Sequence, residues 1–362
     1  MWCWQRFAAA SLLASFIAAL LIFRESIQFH LQSIQSPNHL HDTCIMTRVK
    51  NGHHLLPQWI EYHFLSGIDH FFISNDCSED PRTIYWLEQY EAMGIVNVSY
   101  NQSFNDCRSN LPNEALHFSY LFGLAKASCR WIAVVDLDEY IFPTRRQKAL
   151  SFIKEVLLHH EIPLVRMPWI YMSHMGYQTY PTQLIIDAYN QSSGLEARTY
   201  VKFFARTQYV LDWKSSHYPR FYRGVCYTAE GTIDIRYFAH DHFTKDMEII
   251  NVDVNGSECN YPASPLHIRH YYFRAWPDFV ETRVRRKYTS EGGLNSFFDE
   301  NYARERWINY SSVPNQACSL PGEHHRELVS RNIILAVTRR FTASNKSDTK
   351  ELISRWRDGE IL

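Results

Sequence analysis

Hydrophobic and polar positions follow two periods along the first half of the chain. An uncharged run opens it at 7–23, FAAASLLASFIAALLIF, with Arg6 before it and Arg24 and Glu25 after. A polar, aperiodic stretch at 24–42 carries Pro37 and reads as a short stem. Then the pattern becomes regular. An apolar strand at Cys44–Val49 precedes Leu56, Trp59, Ile60 and Phe64, one face of a helix near Leu55–Phe64 with Pro57 in its first turn. A strand at His70–Ser74 leads to a helix near Pro81–Met93, with Pro81 suited to the first turn and Gly94 at its end. Ile95–Ser99 is a third strand. Ala115, Phe118, Phe122 and Ala125 mark a helix near Asn113–Ala127, and WIAVV at Trp131–Val135 is a wholly apolar central strand. Alternation at this spacing predicts βαβ units and an α/β fold, a mostly parallel sheet flanked by helices. The region 160–275 mixes short apolar runs with turns, and the basic part from Trp276 onward reads as largely helical.

Composition narrows the class. Of 362 residues, 46% are hydrophobic and 21% charged, so a sizeable core is available and wholesale disorder is excluded. A formal charge of −1 offers no field for nucleic acid. The uncharged run spans roughly 25 Å as a helix, which suits an uncleaved signal anchor better than the shorter apolar core of a cleaved signal peptide. The expected layout is a cytoplasmic tail at 1–6, a transmembrane signal anchor at 7–23, a stem at 24–42, an α/β domain at 43–340 and a C-terminal tail at 341–362. Asn-x-Ser/Thr sequons at Asn97, Asn101, Asn190, Asn255, Asn309 and Asn345 exceed the chance expectation of about two and point to a secretory-pathway glycoprotein. Eight cysteines without a C-x-x-C pair argue against a zinc ribbon and allow two or three disulfides, whose pairing is not readable.

The chemistry concentrates after WIAVV, in Asp136-Leu137-Asp138-Glu139. Ligands of open α/β sheets sit at the carboxyl ends of strands. Three carboxylates in four residues repel unless a cation neutralises them, and oxygen ligands favour Mg²⁺ or Mn²⁺. No G-x-G-x-x-G, P-loop, G-x-S-x-G or H-E-x-x-H motif competes with this site.

Three ordered blocks, LPQWIEYHFLSGIDHFFISNDCSEDP (56–81), WIAVVDLDEYIFP (131–143) and LHIRHYYFRAWPDFVETRVRRKY (266–288), resemble glycosyltransferase family 92 and its family-2-like relatives. The resemblance implies a GT-A (Rossmann-like) fold and a type II Golgi membrane protein. It further implies inverting transfer of a sugar, galactose first, from a UDP-sugar donor to a glycan acceptor. By position, Asp138 would be the direct metal ligand, Asp136 would reach the ribose or the metal, and His270 would add the histidine ligand, with His217 as runner-up. Lys50 and Asn75 at strand ends, with Arg274, Arg283 and Lys287, would bind the nucleotide-sugar. Arg283 and Lys287, four residues apart, would share a helix face. Asp212 and Asp241 are the candidates for the general base. Trp169, Tyr171 and Trp213 are sugar-stacking or core aromatics, and Asp80 reads as a helix cap. The pairs His53-His54, His159-His160 and His324-His325 read as surface. Two rival readings are a non-catalytic carbohydrate-binding protein and a lumenal nucleotide-sugar hydrolase.

Overall fold

The computed structural model describes residues 39–100, 114–144, 149–158, 164–193, 201–217, 219–221, 249–254, 257–262, 264–284, 299–309, 320 and 322–342. The anchor run at 7–23 and the stem through residue 38 lie outside the described residues. Among the described residues no helix is long and apolar enough to cross a membrane. The chain divides into Met1–Leu40 and His41–Leu362, and the second unit holds every strand and helix among the described residues.

The alternation read from the sequence folds as expected. It runs β1 (His41–Val49), α1 (Leu56–Leu65), β2 (His70–Asn75), α2 (Pro81–Ala92), β3 (Val96–Ser99), α3 (Glu114–Ala125) and β4 (Cys129–Val134). Asp80 caps α2 by accepting the Arg82 N–H at 3.0 Å, with Pro81 behind it in the first turn. Gly94 then leaves the helix at φ +72°, a conformation that a side chain would strain. The second half adds β5 (Glu139–Pro143), α4 (Phe152–Leu158), β6 (Leu164–Tyr171), α5 (Ile185–Ala188), β7 (Val201–Arg206), β8 (Val210–Trp213) and β9 (Pro219–Phe221). A hairpin of β10 (Ile249–Val254) and β11 (Ser257–Pro262) precedes β12 (Leu266–His270). Then come α6 (Trp276–Phe279), a π-helical turn at Val280–Val284, α7 (Glu300–Asn309) and α8 (Glu323–Thr342). The helix read across 274–288 is therefore a short α-turn and a π-turn as far as residue 284. The shared face of Arg283 and Lys287 lies outside the described residues.

Eight strands form one mixed sheet in the order β3-β2-β1-β4-β7-β6-β12-β5. The pairs β3-β2, β2-β1, β1-β4 and β6-β12 are parallel. The pairs β4-β7, β7-β6 and β12-β5 are antiparallel. Direction therefore reverses twice between β4 and β6. The carboxyl ends of β1, β2, β4, β6 and β12 and the amino ends of β5 and β7 meet along one edge.

Alternate residues of the central strands face two cores. Ile45, Phe71, Ile73, Trp131 and Ala133 pack with α1 and α2, while Cys44, Met46, Phe72, Ile132 and Val134 pack with α3. Cys44 and Cys129 form a disulfide across β1 and β4, and Cys77 is also disulfide-bonded.

The sheet curls around α1. The Trp59 ring lies 5.4 Å from Phe71 on β2, while its indole N–H donates at 3.0 Å to the Glu139 carbonyl on β5, the far edge strand. One turn on, the Tyr62 hydroxyl donates to the Ile141 carbonyl at 2.6 Å, and the Ile141 N–H donates to His63 Nε2 at 3.4 Å. Side chains of α1 thus satisfy an edge strand that has no neighbour on that side among the described residues. His325 from α8 is buried against Ser66 and the Phe152 ring, 4.3 Å away, which corrects its reading as a surface residue. His53 and His54 are part-buried, tied to Asp80 and Asp278. His159 and His160 lie outside the described residues.

Candidate active site

The strand ends gathered at that edge carry opposite charges. Asp136-Leu137-Asp138 turns from β4 into β5, and the Glu139 N–H closes the turn on the Asp136 carbonyl at 2.9 Å. Leu137 tucks against the β1–α1 loop at Gly52, where a Cβ would lie 2.5 Å from Leu137 Cδ1, so a larger residue would displace it. The acidic turn meets cations from two other segments. Lys202, at the amino end of β7, places Nζ 3.0 Å from Asp136 Oδ2 and 3.3 Å from Glu139 Oε2. Asp138 Oδ2 meets Arg283 at 2.7 Å, Arg274 at 3.0 Å and His270 Nε2 at 3.6 Å. His270 reaches it because β12 pairs His270 with both Glu139 on β5 and Tyr171 on β6. Lys202, Arg274 and Arg283 thus face the carboxylates of the acidic turn.

Charge and burial set the protonation of each group. Burial works against the Asp138 charge, but Arg283, His270 and Arg274 outweigh it and hold its carboxyl well below the usual range. Asp136 is depressed as Lys202 overcomes its own burial. Glu139, fully buried and beside two carboxylates, is pushed well above the usual range despite Lys202. Burial lowers His270 against the pull of Asp138. His217 falls to about 4, through burial and then Lys202.

His270 and His217 share an aromatic wall. Trp169 packs edge-on to His270 at 4.2 Å and lies 5.3 Å from His217, and Tyr171 stacks on His270 at 5.3 Å. Trp169 and Tyr171 thus line the site, while Trp213 is a core residue packed toward Phe122. Arg283 lies over the Tyr272 ring at 3.9 Å and is a fifth exposed, on the π-turn.

Arg274 has a different place from the one expected for a donor contact. It is buried, bonded to the Tyr271 carbonyl and Asp278 as well as to Asp138. Asp278 in turn meets His54 Nε2 at 3.3 Å. This chain from Asp138 through Arg274 and Asp278 ends at a cavity of about 760 Å³ lined by Asn51, His53, His54, Glu79, Asp80, Tyr180, Trp276 and Glu281. Asn51, at φ 50°, ties its two strand-end loops together. Its side-chain oxygen accepts the Glu79 and Asp80 N–H groups, and its own N–H donates to Ser78 Oγ.

The sequence profile of glycosyltransferase family 92 matches residues 43–284, about two thirds of the chain. The chain belongs to glycosyltransferase family 92. A family 92 protein of Arabidopsis thaliana is 33% identical over 111 residues, which cover 30% of this chain and 18% of that protein. One of Oryza sativa subsp. japonica is 27% identical over 107 residues, 28% of this chain and 17% of that protein. One of Ricinus communis is 25% identical over 103 residues, again 28% and 17%. Each alignment spans less than a fifth of the relative's own length.

Within the family 92 region the structure gathers five of the residues read from sequence: Asp136, Asp138, His270, Arg274 and Arg283. Lys50 is exposed just past β1, and Asn75 ends β2 with its side-chain oxygen accepting the Ser78 N–H at 3.0 Å. Asp212 does not join the cluster. It accepts from Ser119 Oγ at 3.1 Å and faces Lys214 at 3.4 Å. Asp241 and Lys287 lie outside the described residues. Sequence reasoning missed Lys202 and Asp278. The signal for Lys202 was a lone charge in the apolar strand Val201–Ala205; Asp278, in Trp-Pro-Asp-Phe, had none beyond helix capping.

Among the described residues no three His, Cys, Asp or Glu side chains are grouped to hold a metal ion. The donor types nonetheless suit a divalent ion. The second oxygen of Asp136 and of Asp138 takes no hydrogen bond among the described residues, and the His270 imidazole lies beside Asp138.

Proposed function

We propose that this family 92 protein is a metal-dependent, inverting GT-A glycosyltransferase. It moves a sugar, galactose first, from a UDP-sugar to a glycan acceptor in the secretory pathway. The observation that carries the reading is the meeting of Asp138 with Arg274, Arg283 and His270 at the carboxyl edge of the sheet, linked through Arg274, Asp278 and His54 to a cavity large enough for a nucleoside. A departing nucleoside diphosphate needs fixed positive charge where its own charge develops. Arg283, part-exposed, supplies it directly; Arg274, buried, holds Asp138 in place. Asp136, Asp138 and His270 would hold Mn²⁺ or Mg²⁺, which contributes Lewis-acid stabilisation of the leaving group when bound. Lys50, Asn75 and the cavity at the ends of β1 and β2 receive the nucleoside. Trp169 and Tyr171 offer apolar faces to the sugar. Asp241, the other candidate read from the sequence, serves as the base that accepts the acceptor's hydroxyl proton. The buried disulfide of Cys44 and Cys129 supports an oxidising compartment, in keeping with a type II Golgi membrane protein anchored through residues 7–23.

The test is transfer from radiolabelled UDP-sugars to a panel of glycans, with Mn²⁺ and with chelator. The expected result is acceptor-dependent transfer that the chelator abolishes and that Asp138→Ala loses. Full transfer by Asp138→Ala overturns the reading. Release of free sugar with every acceptor favours a nucleotide-sugar hydrolase instead.

A further inference from the structure

The two aspartates of the Asp-Leu-Asp turn are held by separate systems. Asp138 is gripped by the last residue of β12 and by residues that follow it. Asp136 is gripped from beneath, at two points. Glu139 Oε2 accepts the Asp136 backbone N–H at 2.9 Å, and Lys202 Nζ bonds Asp136 Oδ2 at 3.0 Å while reaching Glu139 Oε2 at 3.3 Å. Lys202 and Glu139 are completely buried, whereas the Asp136 side chain is 40% exposed. One end of this carboxylate is therefore anchored inside the sheet and the other faces out.

A lysine in this place is costly. Its strand neighbours Phe203 and Phe204 pack into the two cores on either side of the sheet, and an ammonium taken out of water must find full compensation. Glu139 lies buried beside it at 3.3 Å. Yet the ammonium lies closer to Asp136, the half-exposed member at the site. We propose that Lys202 is a positioning residue. It fixes the rotamer of Asp136 so that the free oxygen is presented to the nucleotide-sugar, with Glu139 holding the backbone of the same residue. The proposal rests on the transferase reading for what Asp136 is presented to, and on geometry alone for the positioning.

The full chain is compared with Lys202→Met, Lys202→Arg and the double variant Lys202→Met/Glu139→Gln, which replaces the buried partner carboxyl together with the lysine. The readouts are cooperative unfolding, kcat and KM for the donor, and a crystal structure of the double variant. The expected result is a folded double variant whose Asp136 carboxylate has left its position. Its donor kcat/KM should fall by about 10–100-fold, the usual loss when a residue that orients a ligand is removed. Lys202→Arg should recover part of that loss. Wild-type kcat/KM in the double variant, an unmoved Asp136 carboxylate, or a double variant that does not fold would each overturn the proposal and leave Lys202 a structural residue. Should the wild-type chain transfer no sugar, the transferase reading fails, while the crystal structures still decide where Asp136 sits without its lysine.

Discussion

Removing the Cys44–Cys129 bond should cost more than any single hydrogen bond in the domain. The two cysteines are 85 positions apart, and both are fully buried between adjacent parallel strands. Cross-linking a loop of that length lowers the entropy of the unfolded chain by an amount worth about 4.5 kcal/mol at 25 °C. Replacement by Cys44→Ala/Cys129→Ala also loses sulfur packing beside Met46, Ile132 and Phe118 in the α3-side core. The combined effect should lower the melting temperature by roughly 10 °C or more. The assay is urea unfolding followed by tryptophan fluorescence, oxidised chain against double variant. The midpoint should fall, and the slope with urea should rise, because an uncrosslinked denatured chain exposes more surface. Equal midpoints and equal slopes would refute the argument, since the bond would then not constrain the unfolded chain.

Other changes act nearer the site. Asp138→Asn removes the charge that Arg274, Arg283 and His270 face. Arg274 keeps Asp278 and Arg283 is part-exposed, so the loss should be about 2–3 kcal/mol, below that for a wholly buried pair. Sugar transfer should drop at least about 100-fold, and a fully active variant would contradict the assigned role. Tyr62→Phe strips the donor from the buried Ile141 carbonyl and should destabilise by about 1–3 kcal/mol in chemical denaturation; no measurable change would mean that α1 does not hold β5. Acid should weaken the fold early. Burial lowers His63 and His325 to about 3 from an ordinary 6.5, so both stay neutral in the fold while the unfolded chain takes up protons below 6.5. Their stabilising contribution is complete above pH 6.5 and is lost as pH falls toward 3, with a slope near 2.7 kcal/mol per unit once both count (about 1.36 each). Urea midpoints at pH 7, 6 and 5 measure it, and a flat profile would contradict the burial of these rings.

Local pattern determined much of this protein. The strand–helix rhythm from β1 to β4, the Pro81 and Gly94 boundaries, the Asp80 cap and the Asp-Leu-Asp turn after an apolar strand are all readable, because each depends on residues within a few positions of one another. His270 and Arg283 were reachable only through a family resemblance. The rest was decided by tertiary structure. Two reversals of strand direction bring β5, β7 and β12 to the edge where β4 ends, and no periodicity encodes which strands will be neighbours. That placement turns Lys202, a lone charge in an apolar strand, into the counter-charge of Asp136. It makes Arg274 a buried strut rather than an exposed donor contact, and it seats His325 in the core instead of on the surface. The physical reason is common to all three. A charge or imidazole has its role set by its partners and its access to water, and here each meets a partner from a segment tens to hundreds of residues away in the chain, Lys202 with Asp136, Arg274 with Asp138 and His325 with Ser66.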